Sequence, residues 1–367
     1  MCRTITLVVF LLTSTLFAAD VNVGDSESLG RALRDAKPGS VIRLAPGRFA
    51  GGISVANVSG TPTAPIVIAG AAGGASLIEG GAAGLHLSGC SYWELRDIVF
   101  SGATANGINI DDAGKADSPV KGIILRGLDV RNNSPRGNRD GIKLSGVDAF
   151  AVTGCKISQW GNSGSAIDMV GCHDGVVEDC TFTHAENAAM ANGVQTKGSS
   201  RAVVIRKCQF VNAGGRAVNL GGSTGAPYFR PLNATVEARD ITVEDCHFTG
   251  SMAPIAFVGV DGAVVRYNTF VNPGRWVVRI LQENQNAAFT PCRNGVLANN
   301  RITFKSSLAM AVNIGGGTEP KTFRFEKNAW LCEDVPAETR ARLQLPVSET
   351  IGIHGEVNTP GTGVRGK

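Results

Sequence analysis

The stretch Val176-Val-Glu-Asp-Cys180-Thr-Phe182, followed by Asn192-Gly-Val-Gln-Thr-Lys197, is repeated almost at once as Val204-Ile-Arg-Lys-Cys208-Gln-Phe210 and Arg216-Ala-Val-Asn-Leu-Gly221. Each copy holds a short apolar-alternating strand, a Cys, an aromatic, a loop and a second short strand. Aligned on the Cys, the pattern extends outward through Cys155, Leu128 and Ile98 in one direction. In the other it runs through Cys246, Asn268, Asn300 and Asn328, and the intervals are 22 to 38 residues. Two positions after each sits Phe100, Val130, Ile157, Phe182, Phe210, Phe248, Phe270, Ile302 or Trp330. One such unit cannot bury its apolar face alone, so recurrence at a period of roughly 20–50 residues implies a solenoid. Side chains alternate faces along a strand, so both members of each pair point inward and stack into ladders ~4.8 Å apart. The fold expected is all-β: a single-stranded right-handed parallel β-helix. The 47 glycines suit its many tight turns, and its quasi-one-dimensional build makes residues 20–335 one elongated domain.

Before this array, residues 1–19 carry a basic Arg3, an apolar run Ile5–Leu12 and the small residues Ser14, Ala18 and Ala19. That order is a secretory signal, too short in its apolar run to span a membrane. The mature chain is then expected to be secreted or periplasmic, without a membrane span, and a monomer. Residues 26–36 place Leu29, Ala32, Leu33 and Ala36 at helical spacing and stop at Lys37-Pro38-Gly39. A helix here would cover the open N-terminal end of the solenoid. After Asn328 the pattern dies. Residues 336–367 are read as a C-terminal cap and tail: Pro336 to Leu343 as one or two helical turns covering the C-terminal end of the solenoid, and residues 346–367 as extended or mobile.

Of nine cysteines, Cys2 leaves with the signal. Cys155, Cys180, Cys208 and Cys246 belong to one inward ladder and are read as free, buried thiols. Bridges involving Cys90, Cys172 with Cys180, or Cys292 with Cys332 are the alternatives. Asn268, Asn300 and Asn328 continue the ladder with amides able to bond one another.

The second strand of each coil carries the functional argument. Between its inward residues it presents one outward column: Asn109, Lys143, Asp168, Gln195, Asn219, Ala256, Arg279 and Asn313. A second column, two residues on, holds Asp111, Ser145, Val170, Lys197 and Gly221. A row of amides and alternating charges at ~4.8 Å spacing suits a glycan. His184, in the loop before Lys197, is a candidate base, since histidine changes charge near neutral pH. In the insertion after Gly221, Tyr228 could stack on a sugar and Arg230 could grip a carboxylate; plugging of the core is the other use of that cluster. With 35 basic and 31 acidic residues, the net charge of +4 is too mild to argue for nucleic acid. An acidic polysaccharide is compatible, provided that Lys143, Lys197, Arg216, Arg230 and Arg279 gather in the groove.

The opening segments Ala36-Lys-Pro-Gly-Ser-Val-Ile-Arg-Leu, Pro65-Ile-Val-Ile, Leu85-His-Leu-Ser-Gly and Tyr92-Trp-Glu-Leu-Arg-Asp-Ile-Val-Phe resemble the start of family 6 polysaccharide lyases. That family contains alginate lyases and chondroitinase B. The resemblance implies cleavage of a uronate polymer by β-elimination, with a lysine base at a strand end, matched by Lys197-Gly-Ser-Ser-Arg. Lys143 and Arg216 are the neighbouring cations. The acidic calcium ligands of the family fall at Asn192 and Met190, and its catalytic arginine at Leu220, so no cofactor is expected to be required, with calcium the alternative that the resemblance leaves open. Two alternatives stand beside the lyase: a non-catalytic carbohydrate-binding β-helix, and a glycoside hydrolase or uronate epimerase on the same fold. A hydrolase needs two carboxylates at one subsite, and Asp168 is the only acid in the central row.

Overall fold

A computed structural model describes residues 20–186 and 188–355; residues 1–19, where the secretory signal was expected, Asn187 and residues 356–367 lie outside it. The chain winds through three parallel sheets of 14, 12 and 10 strands. One coil shows the plan. His173–Glu178 lies in the first sheet, Thr181–Thr183 in the second and Asn192–Lys197 in the third, and Ser200–Arg206 then returns to the first beside His173–Glu178.

The stretch 176–182 is therefore not one strand. It bends at Asp179, whose φ is 54°. The same left-handed corner stands before every ladder residue, at Asp97, Gly127, Gly154, Asp179, Lys207, Asp245, Tyr267, Asn299 and Lys327, with φ from 54° to 62°. The corner turns Cys180 and Phe182 inward together, at 1% and 0% exposure. Its own N–H is not wasted: Asp179 donates to Arg206 O at 3.2 Å and Lys207 to Glu244 O at 3.2 Å, each one coil further on.

Inside, Phe182, Phe210, Phe248 and Phe270 stack with ring centroids 4.8, 4.6 and 4.8 Å apart. The Cys ladder consists of free thiols, each donating to a backbone carbonyl, as Cys180 does to Glu178 O at 3.2 Å. Cys90, Cys172, Cys292 and Cys332 are free and buried as well, so none of the three candidate bridges forms. Burial pushes the Cys172 and Cys292 thiols up to about 12. The amide ladder is present: Asn268 donates to Asn300 at 3.0 Å, Asn300 to Asn328 at 2.8 Å, and Asn328 to Glu349 at 2.7 Å.

The ends depart from expectation in detail. The first helix runs Ser26–Arg34, capped by Asp25, and buries Leu29 and Leu33. At the other end a 3-10 turn Pro336–Glu338 leads into the helix Thr339–Leu343. Residues 349–354, expected to be part of an extended tail, dock instead. Ile353–His354 pairs with Ala329–Cys332, and buried Glu349 accepts from Asn328, Trp330 and His354. Among the described residues, no helix is long and apolar enough to cross a membrane.

The amide ladder should matter more to stability than the thiol ladder. Asn300→Ala strands the Asn268 N–H and Nδ2 donors and the Val265 carbonyl, at about 1–3 kcal/mol for each buried group left unpaired. Cys208→Ala removes only a small buried group, at about 1 kcal/mol. Urea unfolding should show the Asn300 variant losing clearly more.

Candidate functional site

The ten-stranded sheet sets the outward columns in the expected register: Asn109 beside Lys143, then Asp168, Gln195, Asn219, Ala256, Arg279 and Asn313. Asp168 is the centre. Its carboxylate is 1% exposed, and two lysines reach it from different coils. Lys143 Nζ donates to Oδ2 at 2.6 Å from one side. Lys197 Nζ, on the second column, approaches Oδ1 diagonally at 3.1 Å. That second contact is an ion pair without hydrogen-bond angles, since Oδ1 is buried and accepts no well-directed hydrogen bond. Burial alone would raise the Asp168 carboxyl, but Lys197 and Lys143 hold it below the ordinary carboxylate range. Burial likewise opposes the charge on Lys143, yet Asp168 and Asp140 outweigh it and raise its pKa.

Asp140 completes the cluster from the loop before Ile142–Ser145. Its Oδ1 accepts from Ser165 N at 2.8 Å and its Oδ2 lies 3.5 Å from Lys143 Nζ. Burial and the charge of Asp168 lift it to about 6. Lys143 and Lys197 face a cavity of about 490 Å³, bounded by residues 111–116 on one side and 223–230 on the other. Tyr228, 70% exposed, stands at its edge. Buried Glu237 ties this wall to the turn after Lys197: it accepts from Thr224 N at 2.9 Å, Thr224 Oγ1 at 2.6 Å and Gly198 N at 3.2 Å.

Several expected site residues are engaged elsewhere. Arg230 does not grip solvent-borne carboxylates. It is 8% exposed, donates to Gly171 O at 2.7 Å, and pairs with Asp148 and His173. Phe229 is buried against Phe289, so of that cluster only Tyr228 is open. His184 is not a free base: Nδ1 accepts from Ala185 N and Nε2 donates to Trp160 O, both at 2.8 Å. Arg216 pairs in register with Asn192, five residues before Lys197 on the strand, which puts it ~16 Å from the lysine along the strand direction. Its guanidinium binds Glu283 at 2.5 Å and Asn219 at 3.3 Å. Arg279 donates to Asn313 at 3.0 Å and lies over Trp276. Gln195 and Asn219 keep their column, but they are buried rather than open to a sugar.

A calcium ion does not fit at the positions that the lyase resemblance indicates. The Asn192 amide is bonded to Gln195 at 3.2 Å, and Met190 is a 75% exposed thioether. Among the described residues, no group of three or more His, Cys, Asp or Glu side chains could hold a metal.

One dyad escaped the sequence reading. His86 Nε2 meets Asp111 Oδ2 at 2.6 Å, with Ser88 and Asn109 donating to the same carboxylate at 2.7 and 2.9 Å. His86 stands in the central column beside Asn109. Its signal was the frame Leu85-His-Leu87, which matches Ile108-Asn-Ile110 but fell among the irregular early coils.

No curated protein matches the chain. Among solved structures, the alginate lyase from Paenibacillus sp. str. FPU-7 superposes with a TM-score of 0.53 at 17% identity, over 85% of this chain and 94% of that one. The A-module of the Azotobacter vinelandii mannuronan C-5 epimerase AlgE4 gives 0.53 at 13% identity, over 95% and 97%. At these identities the likeness is one of fold. A family model described as "Right handed beta helix region" matches residues 83–270, more than half of the chain, and the protein belongs to that right-handed β-helix family.

Proposed function

We propose that this protein acts on an acidic polysaccharide, as an exported lyase that cleaves a uronate polymer by β-elimination at the pocket over Asp168. The observation that carries this is the convergence of Lys143 and Lys197, which both line a cavity edged by an exposed tyrosine, on one buried carboxylate. The fold, shared with an alginate lyase and a mannuronan C-5 epimerase, is compatible with it.

The chemistry divides between the lysines. Lys143, kept charged by Asp168 and Asp140, suits neutralisation of a uronate carboxylate and of the negative charge that develops on it. Lys197 is held less firmly, by an ion pair lacking hydrogen-bond geometry. Once deprotonated, it takes the proton beside the carboxylate. The electron pair left behind forms the carbon–carbon double bond, the glycosidic C–O bond breaks, and the leaving oxygen needs a proton from an acid. Tyr228 borders the same pocket and is assigned this acid role. No step calls for a metal, so activity is expected to survive EDTA.

A non-catalytic glycan-binding role is the second reading, favoured by the pairing of both ammoniums with Asp168 in the resting site. Lys197→Ala separates the two. Incubation with alginate, pectate and chondroitin, followed by ultraviolet absorbance and by titration calorimetry, should show unsaturated products from the wild type only. The variant should lose them by at least a hundredfold, of the order expected when a proton-transfer group is removed, while retaining binding. Absence of such products from wild type on every polymer would remove the lyase and leave the binder.

Acid should strengthen binding. Asp140 titrates at about 6, so as pH falls through that value a raised carboxyl takes up a proton and the cluster passes from two cations against two anions to two against one. Affinity for a uronate polymer is expected to rise between pH 7 and 5. Asp140→Asn should flatten that part of the profile, which isolates it from the histidines.

A further inference from the structure

Exposure along the central column of the groove sheet changes in steps. Ser54 is exposed, His86, Asn109 and Lys143 are half-buried, Asp168 to Ala256 are buried, and Arg279 and Asn313 emerge again. Two features lie on the buried run. The backbone of Gly222 lies on Gln195 so closely that a side chain there would meet the amide nitrogen at 2.5 Å. Further along, the chain leaves the downstream edge of the sheet at Leu281, in register with Val258. Glu283 then binds Arg216 Nη2 at 2.5 Å. Arg216 stands at the upstream edge, in register with Ala253, two coils back. The backbone after Leu281 stays at that edge, where Asn284 bonds Glu237 and Gln282 bonds Cys292, so it is the Arg216 side chain, turned along its strand to Asn219, and the Glu283 side chain that meet over the sheet face. On the same face the outward residues Ala256, Val258 and Leu281 form their own buried apolar cluster. Asn284 fastens the same segment to Glu237, the residue that also holds the wall at Thr224.

We propose that the groove is a blind channel, entered from the coils of Ser54, His86 and Asn109 and closed beyond Lys197. It takes the end of an acidic glycan chain rather than a stretch of its middle, and the Arg216–Glu283 pair is the specificity-determining bar. This rests on the glycan reading above. A polymer lying along the column meets the bar one coil past Lys197, where the next outward positions, Asn219 and Ala256, are covered. Only a terminus can sit against Lys143 and Lys197 without displacing that pair. The partly exposed ion pair, with side chains 20% and 35% exposed, is available to substitution without opening the core.

The test is binding stoichiometry, using short and long fractions of alginate, pectate and chondroitin titrated into the full chain by calorimetry. End capture predicts one protein per glycan chain whatever its length. A number of bound proteins that grows in proportion to chain length in the wild type overturns the proposal. Glu283→Ala, checked for an unchanged melting temperature, should admit several proteins per long chain, and Arg216→Glu with Glu283→Arg should return the value to one. If Glu283→Ala does not fold, Glu283→Gln removes the charge while keeping the shape. A folded variant that still binds one per chain overturns the role of the pair. Failure of every fraction to bind is a different result: it removes the glycan reading itself, and this inference with it.

Discussion

The left-handed corner before each ladder residue is the constraint from which the rest of the molecule follows. Most of these corners are not glycine, and a side chain in that region costs roughly 1–2 kcal/mol. They persist because the corner N–H finds a carbonyl on the next coil, and because the turn puts a thiol or amide and an aromatic into the core together. Change the corner and the period-two alternation of the following strand would flip, sending Phe182 outward. The coil is thus fixed by a local conformation that only the neighbouring coil makes worthwhile, which is the cooperative logic of a solenoid.

That regularity is what permits an irregular site. Stacked strands bring Lys143, Asp168 and Lys197 within contact although they are 25 and 29 residues apart in sequence. The core tolerates this because the outward face carries none of the stacking. Asp168 is the costly member, a carboxylate almost wholly withdrawn from water. Its two cations offset that burial, and Asp140, with Lys143 already committed to Asp168, stays closer to its neutral form. Insertions do the remaining work. Residues 222–236 form a side wall, residues 282–290 pack against it through Asn284, Phe289 and Thr290 while Glu283 reaches Arg216, and Glu237 fastens both to the turn behind Lys197.

The ladders were legible in the sequence because they depend on period and side-chain type alone: Cys180, Cys208 and Cys246, the phenylalanines two positions on, and the asparagines that continue the run. The outward columns were legible for the same reason, since strand alternation fixes the direction of each side chain. The Glu349 cap was not. A lone Glu in a Pro- and Gly-bearing tail shows no period, and only the open end of the asparagine ladder gives it a place.

For the site, the sequence by itself determined which residues face outward and on which coil, because parallel in-register pairing leaves no freedom in that choice. It did not determine which of them meet solvent. Gln195 and Asn219 occupy their expected positions and are covered. Arg216, Arg230 and His184 have the right chemistry and spend it on Glu283, Asp148 and Trp160. Those outcomes depend on where two long loops fold back, with partners as far as 82 residues away. Local pattern carries no record of such contacts, so tertiary structure alone decided that part of the outward row is covered and that two of its cations gather on Asp168.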